Sequence, residues 1–187
     1  MRRKRAAPFM IAVLVCAGCS WPQFRGEAAH NGVQPFETKI NTSNVATLSQ
    51  AWSAATTGTI GYSSPAVANG VAYVGSSDSK LYAFDAAGVT GCSGTPKTCA
   101  PLWTATTGGD VDSSPAVVNG VVYVGSFDEK LYAFDAAGVT GCSGTPKTCA
   151  PLWTATTGGV VVSSPAVANG VVYVGSFDSK LYAYRLP

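Results

Sequence analysis

The chain repeats itself every fifty residues, and this periodicity constrains its fold more than any other feature. The segment SSPAV begins at Ser63, Ser113 and Ser163. A thirty-residue segment, KLYAFDAAGVTGCSGTPKTCAPLWTATTGG, occupies residues 80–109 and recurs without change at 130–159. Repeats of this length are supersecondary units that bury their apolar faces against one another, and about three are needed for stability. The sequence therefore predicts an array of three stacked units.

Each copy has the residue pattern of four short antiparallel strands. In the first copy the apolar runs SSPAVA and VAYVGS flank Asn69-Gly70. This dipeptide predicts a type I′ hairpin, since both turn residues need a positive φ. A turn at SSDSK leads into a third strand, KLYAFDA, and PLWTATT predicts a fourth. Four strands in this length form a β-propeller blade, so we expect an all-β chain of about three four-stranded antiparallel blades.

The two ends of the array complement each other. The segment SQAWSAATT around Trp52 predicts a fourth strand without a blade, whereas the last copy, KLYAYRLP, reaches only its third strand. We therefore expect a velcro-like exchange of strands between the ends. Propellers close with about four to eight blades, so three are too few for a ring. We favour a ring completed by more than one chain, a homo-oligomer, over an open arc or a truncated member of a longer family.

The N-terminus has the features of an export signal. Four basic residues at 2–5 precede an apolar run at 6–17 that is too short for a membrane-spanning helix. The residues before Cys19 resemble the cleavage site of a bacterial lipoprotein, with Cys19 lipidated, although Cys16 stands where leucine is usual. An ordinary cleaved secretory signal is the alternative. The predicted organisation is an export signal at 1–19, an entry segment at 20–47 and three repeats at 48–187.

The basic character of the chain belongs to this signal. Its removal takes away four of the twelve basic residues and leaves eight against ten acidic ones, so the net charge changes from +2 to −2. The repeats then lack the basic excess of nucleic-acid-binding proteins. We expect no nucleic-acid partner, and contact with a membrane through the lipid anchor alone.

The copies resemble the quinoprotein-type repeat, the blade of PQQ-binding-like β-propellers, which include a bacterial outer-membrane assembly lipoprotein. The resemblance rests on SSPAVANGVVYVGSFDSKLYA followed, in the first two copies, by a strand with tryptophan. It extends to WPQFRGEAAHNGV and NVATLSQAW before the repeats, and so covers nearly all of the chain after the signal. This blade serves dehydrogenases, assembly factors and sensor domains, so it implies a fold and leaves the function open.

The resemblance also implies roles for two sets of residues. In the family a tryptophan of the fourth strand docks against the next blade, and the matching residues are Trp52, Trp103 and Trp153. We interpret them as structural, because buried aromatic rings contribute much of the packing between sheets. Asp85 and Asp135 match a turn-forming aspartate after the third strand. A third set, in the turn before that strand, is assigned to Asx-turns: Asp78, Asp128 and Asp178.

Two pairs of cysteines occupy the repeated loop. Cys92 and Cys99, and likewise Cys142 and Cys149, have the spacing C-x6-C in a segment rich in Gly, Ser, Thr and Pro. In an exported chain such pairs predict disulfides. A zinc site would need four ligands, and no histidine accompanies these cysteines. We therefore predict one disulfide within each loop, stapling an exposed connection between the third and fourth strands.

Catalytic motifs find little support in the sequence. His30 is the single histidine, and GVTGCSG lacks the lysine and the following helix of a phosphate-binding loop. The resemblance to quinoprotein dehydrogenases implies calcium on acidic and amide ligands and a disulfide between adjacent cysteines against the quinone. This chain has no adjacent cysteines. PQQ and calcium are thus expected only by resemblance, and we predict no enzymatic activity.

Differences between the copies single out two carboxylates. Asp110 and Asp112 stand at alternate positions before the first strand of the middle copy, which would place them on one face. They are candidates for binding a cation or polar ligand near the axis of the ring, and a solvated strand end is the simpler interpretation. At a spacing of fifty the equivalents are Ile60 and Val160 for the first position, and Tyr62 and Val162 for the second.

These observations predict a non-catalytic, extracytoplasmic β-propeller that binds protein or cell-envelope partners through its rim and loops. One alternative is a PQQ-dependent oxidoreductase-like protein or a fragment of one. Another is a structural remnant of a longer propeller. Bound quinone or calcium would distinguish the first alternative, and the absence of a cooperative thermal transition the second.

Overall fold

The computed structural model describes Pro22 and residues 37–187. The predicted export signal with Cys19, and His30 in the entry segment, lie outside the described residues. No helix in the described part is long and apolar enough to cross a membrane.

Besides one 3-10 helix, Val45–Thr47, the regular structure consists of β-strands, which confirms the all-β class. In chain order these are β1 (Ser53–Ala54), β2 (Ala66–Ala68), β3 (Val71–Ser76), β4 (Lys80–Asp85), β5 (Cys92–Ser93), β6 (Thr98–Cys99), β7 (Trp103–Thr106), β8 (Ala116–Val118), β9 (Val121–Gly125), β10 (Lys130–Asp135), β11 (Cys142–Ser143), β12 (Thr148–Cys149), β13 (Trp153–Thr156), β14 (Ala166–Ala168), β15 (Val171–Gly175) and β16 (Leu181–Arg185).

The copies form three successive blades, as predicted. Blade 1 has the antiparallel order β2-β3-β4-β7 and blade 2 the order β8-β9-β10-β13. Blade 3 contains β14, β15 and β16. The registers of blades 1 and 2 are the same: Leu81 opposes Gly75 and Ala105, and Leu131 opposes Gly125 and Ala155.

The Asn-Gly turns fix the first hairpin of every blade. Asn69 has φ 51° and Gly70 φ 77°, and the turns of the other two copies have similar values. Two consecutive positive φ angles define the type I′ turn that the sequence predicted. The turn pairs β2 with β3 so that Ala66 opposes Tyr73.

The hydrophobic core lies mainly between blades. Tyr73, Leu81 and Trp103 of blade 1 belong to one buried cluster with Val122 and Phe134 of blade 2. A smaller cluster joins blades 2 and 3, and a third joins the segment around β1 to blade 1. Each blade is thus stabilised by its neighbours, as expected of a repeat array.

The repeated serines also connect successive blades. The Ser63 hydroxyl donates a hydrogen bond to the Ser113 carbonyl at 3.0 Å, and the Ser113 hydroxyl donates to the Ser163 carbonyl at 2.9 Å. We call this chain of contacts the serine ladder. It gives the first serine of each SSPAV segment a structural role at the inner strands.

The predicted strand exchange between the ends is absent from the described residues. β1 pairs with β6, β16 pairs with β15, and the two lie in separate sheets. The prediction is wrong for a single chain, because β1 is held beside blade 1 while β16 is in the third blade of the array. Pro22 and residues 37–187 therefore do not close a ring by themselves.

Candidate interaction surface

Each cysteine pair forms a disulfide across a small β-hairpin. β5 and β6 place Cys92 opposite Cys99, and β11 and β12 place Cys142 opposite Cys149. Both pairs are bonded in the structure. The loop is thus a structured element within the insertion and not an irregular connection.

The hairpins attach to the blade before their own. β6 runs parallel to β1, and β12 runs parallel to β7. The Ser53 N–H donates to the Lys97 carbonyl at 3.0 Å, and the Thr104 N–H donates to the Lys147 carbonyl at 3.0 Å. The sheet of blade 1 therefore has six strands, of which the last two come from the following copy. Sequence reasoning missed this contact, because a two-residue strand in a loop has no periodic pattern.

Each hairpin is buried at one base cysteine and exposed at its tip. Cys99 and Cys149 are only 4% and 3% exposed, so the prediction of a wholly exposed connection is wrong at these residues. The tips at 93–98 and 143–148 are exposed throughout and have the same sequence, SGTPKT. The fold thereby presents one polar six-residue surface twice, each time on a stapled support.

Asp85 and Asp135 organise the entrance to these loops. The Asp85 carboxylate accepts hydrogen bonds from the backbone N–H groups of Ala87, Val89 and Thr90 at 3.0, 3.0 and 2.6 Å. Asp135 makes the equivalent three contacts at 3.0, 3.1 and 2.5 Å. The backbone N–H of Thr90 is the main cause of the lowered pKa of Asp85, and that of Thr140 of the lowered pKa of Asp135. Their geometry is that of turn-forming residues.

The aspartates before the third strand contact the segment that follows the preceding fourth strand, directly in blades 1 and 3 and through Tyr132 in blade 2. In blade 2, Tyr132 Oη donates to Asp128 Oδ2 at 2.5 Å, Lys130 Nζ lies 3.2 Å away, and the Gly108 N–H donates to Tyr132 Oη at 3.2 Å. Burial raises the pKa of Asp128, but the hydrogen bonds from Tyr132, Ser126 and Lys130 together with the Lys130 charge outweigh it, and the net pKa is lowered. In blade 3 the pKa of Asp178 is lowered to about 2, with the hydrogen bond from the Tyr182 hydroxyl as the largest cause. In blade 1, Asp78 bonds Thr57 and Tyr82. An Asx-turn alone therefore does not account for these residues.

Asp110 and Asp112 lie together, half-buried, before β8. Burial raises the pKa of Asp112, and the charge of Asp110 adds to this effect. No group of three or more His, Cys, Asp or Glu side chains in the described part of the chain is placed to hold a metal ion. Among the described residues, Asp110 and Asp112 are thus a pair of carboxylates that no third His, Cys, Asp or Glu side chain joins.

The proposed equivalence of Ile60 with Asp110 is wrong. The backbone carbonyls of Asp110 and Val160 accept hydrogen bonds from Phe127 and Phe177, each at 2.9 Å, and in the first copy Thr59 is the residue in this position, bonded to Ser77 at 3.0 Å. The first copy therefore has one extra residue between Thr59 and Ser63. A comparison at constant spacing shifts the alignment there by one position.

The three tryptophans occupy equivalent positions in unequal surroundings: Trp103 and Trp153 begin β7 and β13, and Trp52 directly precedes β1. Trp103 is 2% exposed and lies 5.9 Å from the ring of Tyr73, centroid to centroid. A Cβ on Gly138 would overlap the Trp103 ring, which explains the glycine there. Trp153 is 40% exposed and meets Tyr184 edge-on at 5.2 Å. Trp52 is half-buried and donates from Nε1 to the Ala86 carbonyl at 3.2 Å.

Solved structures of quinoprotein dehydrogenases share this architecture. The quinohemoprotein alcohol dehydrogenase ADHIIG from Pseudomonas putida HK5 matches with a TM-score of 0.69 and 24% identity over 89% of this chain and 25% of that chain. The quinohemoprotein alcohol dehydrogenase from Comamonas testosteroni matches with 0.67 and 25% identity over the same shares. This chain therefore spans about a quarter of the length of these enzymes, and the likeness establishes the quinoprotein-type propeller fold that the sequence predicted.

A more distant match is BamB from Moraxella catarrhalis, with a TM-score of 0.48 and 20% identity over 69% of this chain and 36% of that chain. Neither a protein-family model nor a curated protein matches the sequence.

Proposed function

We propose that this chain, with blades of the quinoprotein type, is a non-catalytic binding or scaffold protein of the bacterial cell envelope. The observation that supports this proposal is the pair of stapled hairpins, whose exposed tips repeat the same six residues. A loop held in one conformation loses less entropy when it binds. Two identical tips on one array also allow two contacts with a partner that has a repeated surface.

The tips are the surface to test in cells. A photo-crosslinking amino acid replaces Thr95 or Thr145 at the exposed tips, and Phe127, an exposed aromatic residue in the turn between β9 and β10, serves as the control position. Discrete protein adducts from both tips, and not from Phe127, are the expected result. Replacing Lys97 and Lys147 by serine, with the cysteines kept, should weaken both adducts. Equal labelling from all three positions, or none from the tips, would contradict the proposal.

Export and lipid anchoring are part of the same proposal. Disulfides persist in oxidising compartments outside the cytoplasm, and the N-terminal residues resemble a lipoprotein signal ending at Cys19. The proposed organisation is thus a signal at 1–19, an entry segment at 20–47 and repeats at 48–187.

Labelling with a radioactive fatty acid tests the anchor. The full chain should incorporate the label and sediment with membranes, whereas Cys19→Ser should do neither. Unlabelled protein in the soluble periplasmic fraction would instead favour an ordinary cleaved signal. This experiment leaves the role of the tips untouched, so the two parts of the proposal are tested separately.

A quinone-dependent oxidoreductase is the second candidate, because the neighbours in structure include quinohemoprotein dehydrogenases. The cysteines and carboxylates of the described residues do not fit the quinone and calcium site that the resemblance implies. The bonded cysteines are seven positions apart in peripheral hairpins, and Asp110 and Asp112 are without further acidic or histidine ligands among the described residues. Incubation with PQQ and calcium followed by gel filtration should leave the protein without a quinone absorption band. Retention of the band at one quinone per chain would favour the enzyme.

A further inference from the structure

Blade 1 shows what a completed blade of this protein contains. Its sheet has the order β2-β3-β4-β7-β12-β11, so three strands of one copy are followed by a tryptophan strand and by the hairpin of the next copy. Blade 3 has only the first three of these six elements, β14-β15-β16. Within the described residues, the outer edge of β16 is therefore an open position.

The open edge of blade 3 exposes an apolar side chain whose equivalents in blades 1 and 2 are buried. Leu81 and Leu131 are 0% exposed, each opposite an alanine of the tryptophan strand, whereas Leu181 is 73% exposed. A Cβ on Gly75 or Gly125 would overlap a valine of the following blade, while Gly175 has no such neighbour in the described chain.

The serine ladder ends at the same place. Ser63 and Ser113 each donate to the serine carbonyl of the following blade. Ser163 is exposed and donates instead to the Gly175 carbonyl of its own blade at 2.8 Å. The inner side of blade 3 thus has an unused position for a further copy of the SSPAV segment.

The other end of the array has the missing parts. β1 pairs in parallel with β6, with Ser53 opposite Thr98, just as β7 pairs with β12, with Thr104 opposite Thr148. β1 is therefore a tryptophan strand with its hairpin already attached. Its second edge, which in β7 pairs with β4, pairs with no strand among the described residues.

We propose that β1 of a second copy of this chain completes blade 3. By the register of blades 1 and 2, Leu181 would oppose Ala54 of the second copy, and Ala183 would oppose its Trp52. The resulting sheet has the order β14-β15-β16-β1-β6-β5, which repeats that of blade 1 element by element. Blade 1 of the second copy then covers Leu181, and its Ser63 carbonyl accepts the hydrogen bond of Ser163.

The usual number of blades in a propeller favours an assembly of two chains. The contact is heterologous, joining the end of one array to the beginning of the next, and such contacts form a ring when the rotation closes. Two chains supply six blades, within the usual range of about four to eight, whereas three chains would supply nine. The inferred assembly is a two-chain ring with this contact made twice, and it does not depend on the proposed binding role of the tips.

Two variants, each with one added cysteine besides the four in disulfides, test the contact when they are mixed. The full chain with Cys16→Ser and Cys19→Ser is purified in mild detergent, and one preparation also has Ala54→Cys while another has Leu181→Cys. Directly opposed residues of an antiparallel pair have Cα atoms about 4.5–5.5 Å apart, within the range that a disulfide bridges. Mixing and mild oxidation should convert most chains to a covalent dimer, and neither preparation alone should do so.

The matched control replaces Ala105, which occupies the same place in β7 and is already opposite Leu81. Ala105→Cys mixed with Leu181→Cys should give no dimer. Light scattering on the chain without added cysteines, corrected for bound detergent, gives an independent measurement, which should be twice the mass of one chain as purified. A folded monomer, an assembly larger than two chains, or a dimer formed in the Ala105→Cys control would overturn the proposal.

Discussion

Single side chains join neighbouring blades of this array by polar contacts. Asp128 accepts a hydrogen bond from the Tyr132 hydroxyl, and the same hydroxyl accepts a hydrogen bond from the Gly108 N–H, just after β7 of the preceding blade. The Asp128 side chain is 12% exposed. Its Oδ2 accepts hydrogen bonds from Tyr132 and Lys130, whereas Oδ1 is buried without a partner among the described residues. Hydrogen bonds to a charged group contribute more to the free energy of unfolding than those between neutral groups.

Tyr132→Phe should lower the free energy of unfolding by about 1–3 kcal/mol. The substitution removes a hydrogen bond to a partly buried carboxylate and leaves that carboxylate with fewer partners. Urea unfolding measures the change. Tyr62→Phe is the control, because Tyr62 is 78% exposed and should change stability by less than about 0.5 kcal/mol. Equal effects would mean that the tyrosine contributes through its ring alone.

The loop aspartates predict a loss of stability in acid. Backbone N–H groups hold the pKa of Asp85 and Asp135 below 3.8 in the folded chain. Their contribution is therefore present above the unfolded pKa and is lost as the pH falls through the folded value. Thermal melting between about pH 5 and pH 2 should show this decline. The double variant Asp85→Asn with Asp135→Asn should give a shallower curve.

Asp112 provides a control of opposite sign. Burial and the charge of Asp110 raise its pKa, so protonation of Asp112 favours the folded state as the pH falls. Asp112→Asn removes this compensation and should make the acid decline steeper. A shallower curve for this variant would contradict the assignment.

At the scale of elements, the hairpins cover strand edges of the blade before them. An uncovered edge strand exposes unpaired backbone groups. The hairpin β11–β12 pairs with β7 and leaves only the two-residue strand β11 at the new edge. A very short edge strand offers little surface for further pairing.

Removing the second disulfide should loosen this cover. In the entropic model a ring of this size contributes about 2–3 kcal/mol, so Cys142→Ala with Cys149→Ala should lower the unfolding free energy by that amount. Hydrogen exchange should also accelerate at the Thr104 N–H, which bonds to the Lys147 carbonyl. The Ser53 N–H, covered by the first hairpin, should be unaffected. Acceleration at both would mean that the hairpins do not act locally.

The elements differ in how far the sequence predicts them. The inner strands and turns were predictable, because alternating apolar residues and Asn69-Gly70 are local signals. The attachment of β12 to β7 was not, since it joins residues more than forty positions apart through two-residue strands. The same limit applies to Asp110, whose equivalent in the first copy is Thr59. The unequal spacing of Trp52 to Ser63 and Trp103 to Ser113, eleven and ten positions, already indicates one extra residue in the first copy. The backbone hydrogen bonds place it after Thr59.

Across the whole molecule, stability should fall from the middle of the array towards blade 3. Trp103 and Trp153 lie in identical local sequences, PLWTATTGG, but are 2% and 40% exposed. Trp103→Ala should cost about 3–5 kcal/mol, as for other buried aromatic residues. Trp153→Ala should cost about 1–2 kcal/mol, because less of its surface is buried. Thermal unfolding of the two variants gives the comparison, and equal losses would contradict the predicted gradient.

The placement of the hairpins bears on how such an array grows. Each fifty-residue unit contains a hairpin that pairs with the fourth strand of the unit before it. Its own fourth strand is left for the hairpin of the next unit. Duplicating a whole unit in the middle of a gene therefore adds one edge and one cover together. The identity of residues 80–109 and 130–159 is the trace that such a duplication would leave. Natural variation in blade number should thus occur in whole units. In each case the uncovered strand edge should lie in the unit that no further hairpin follows.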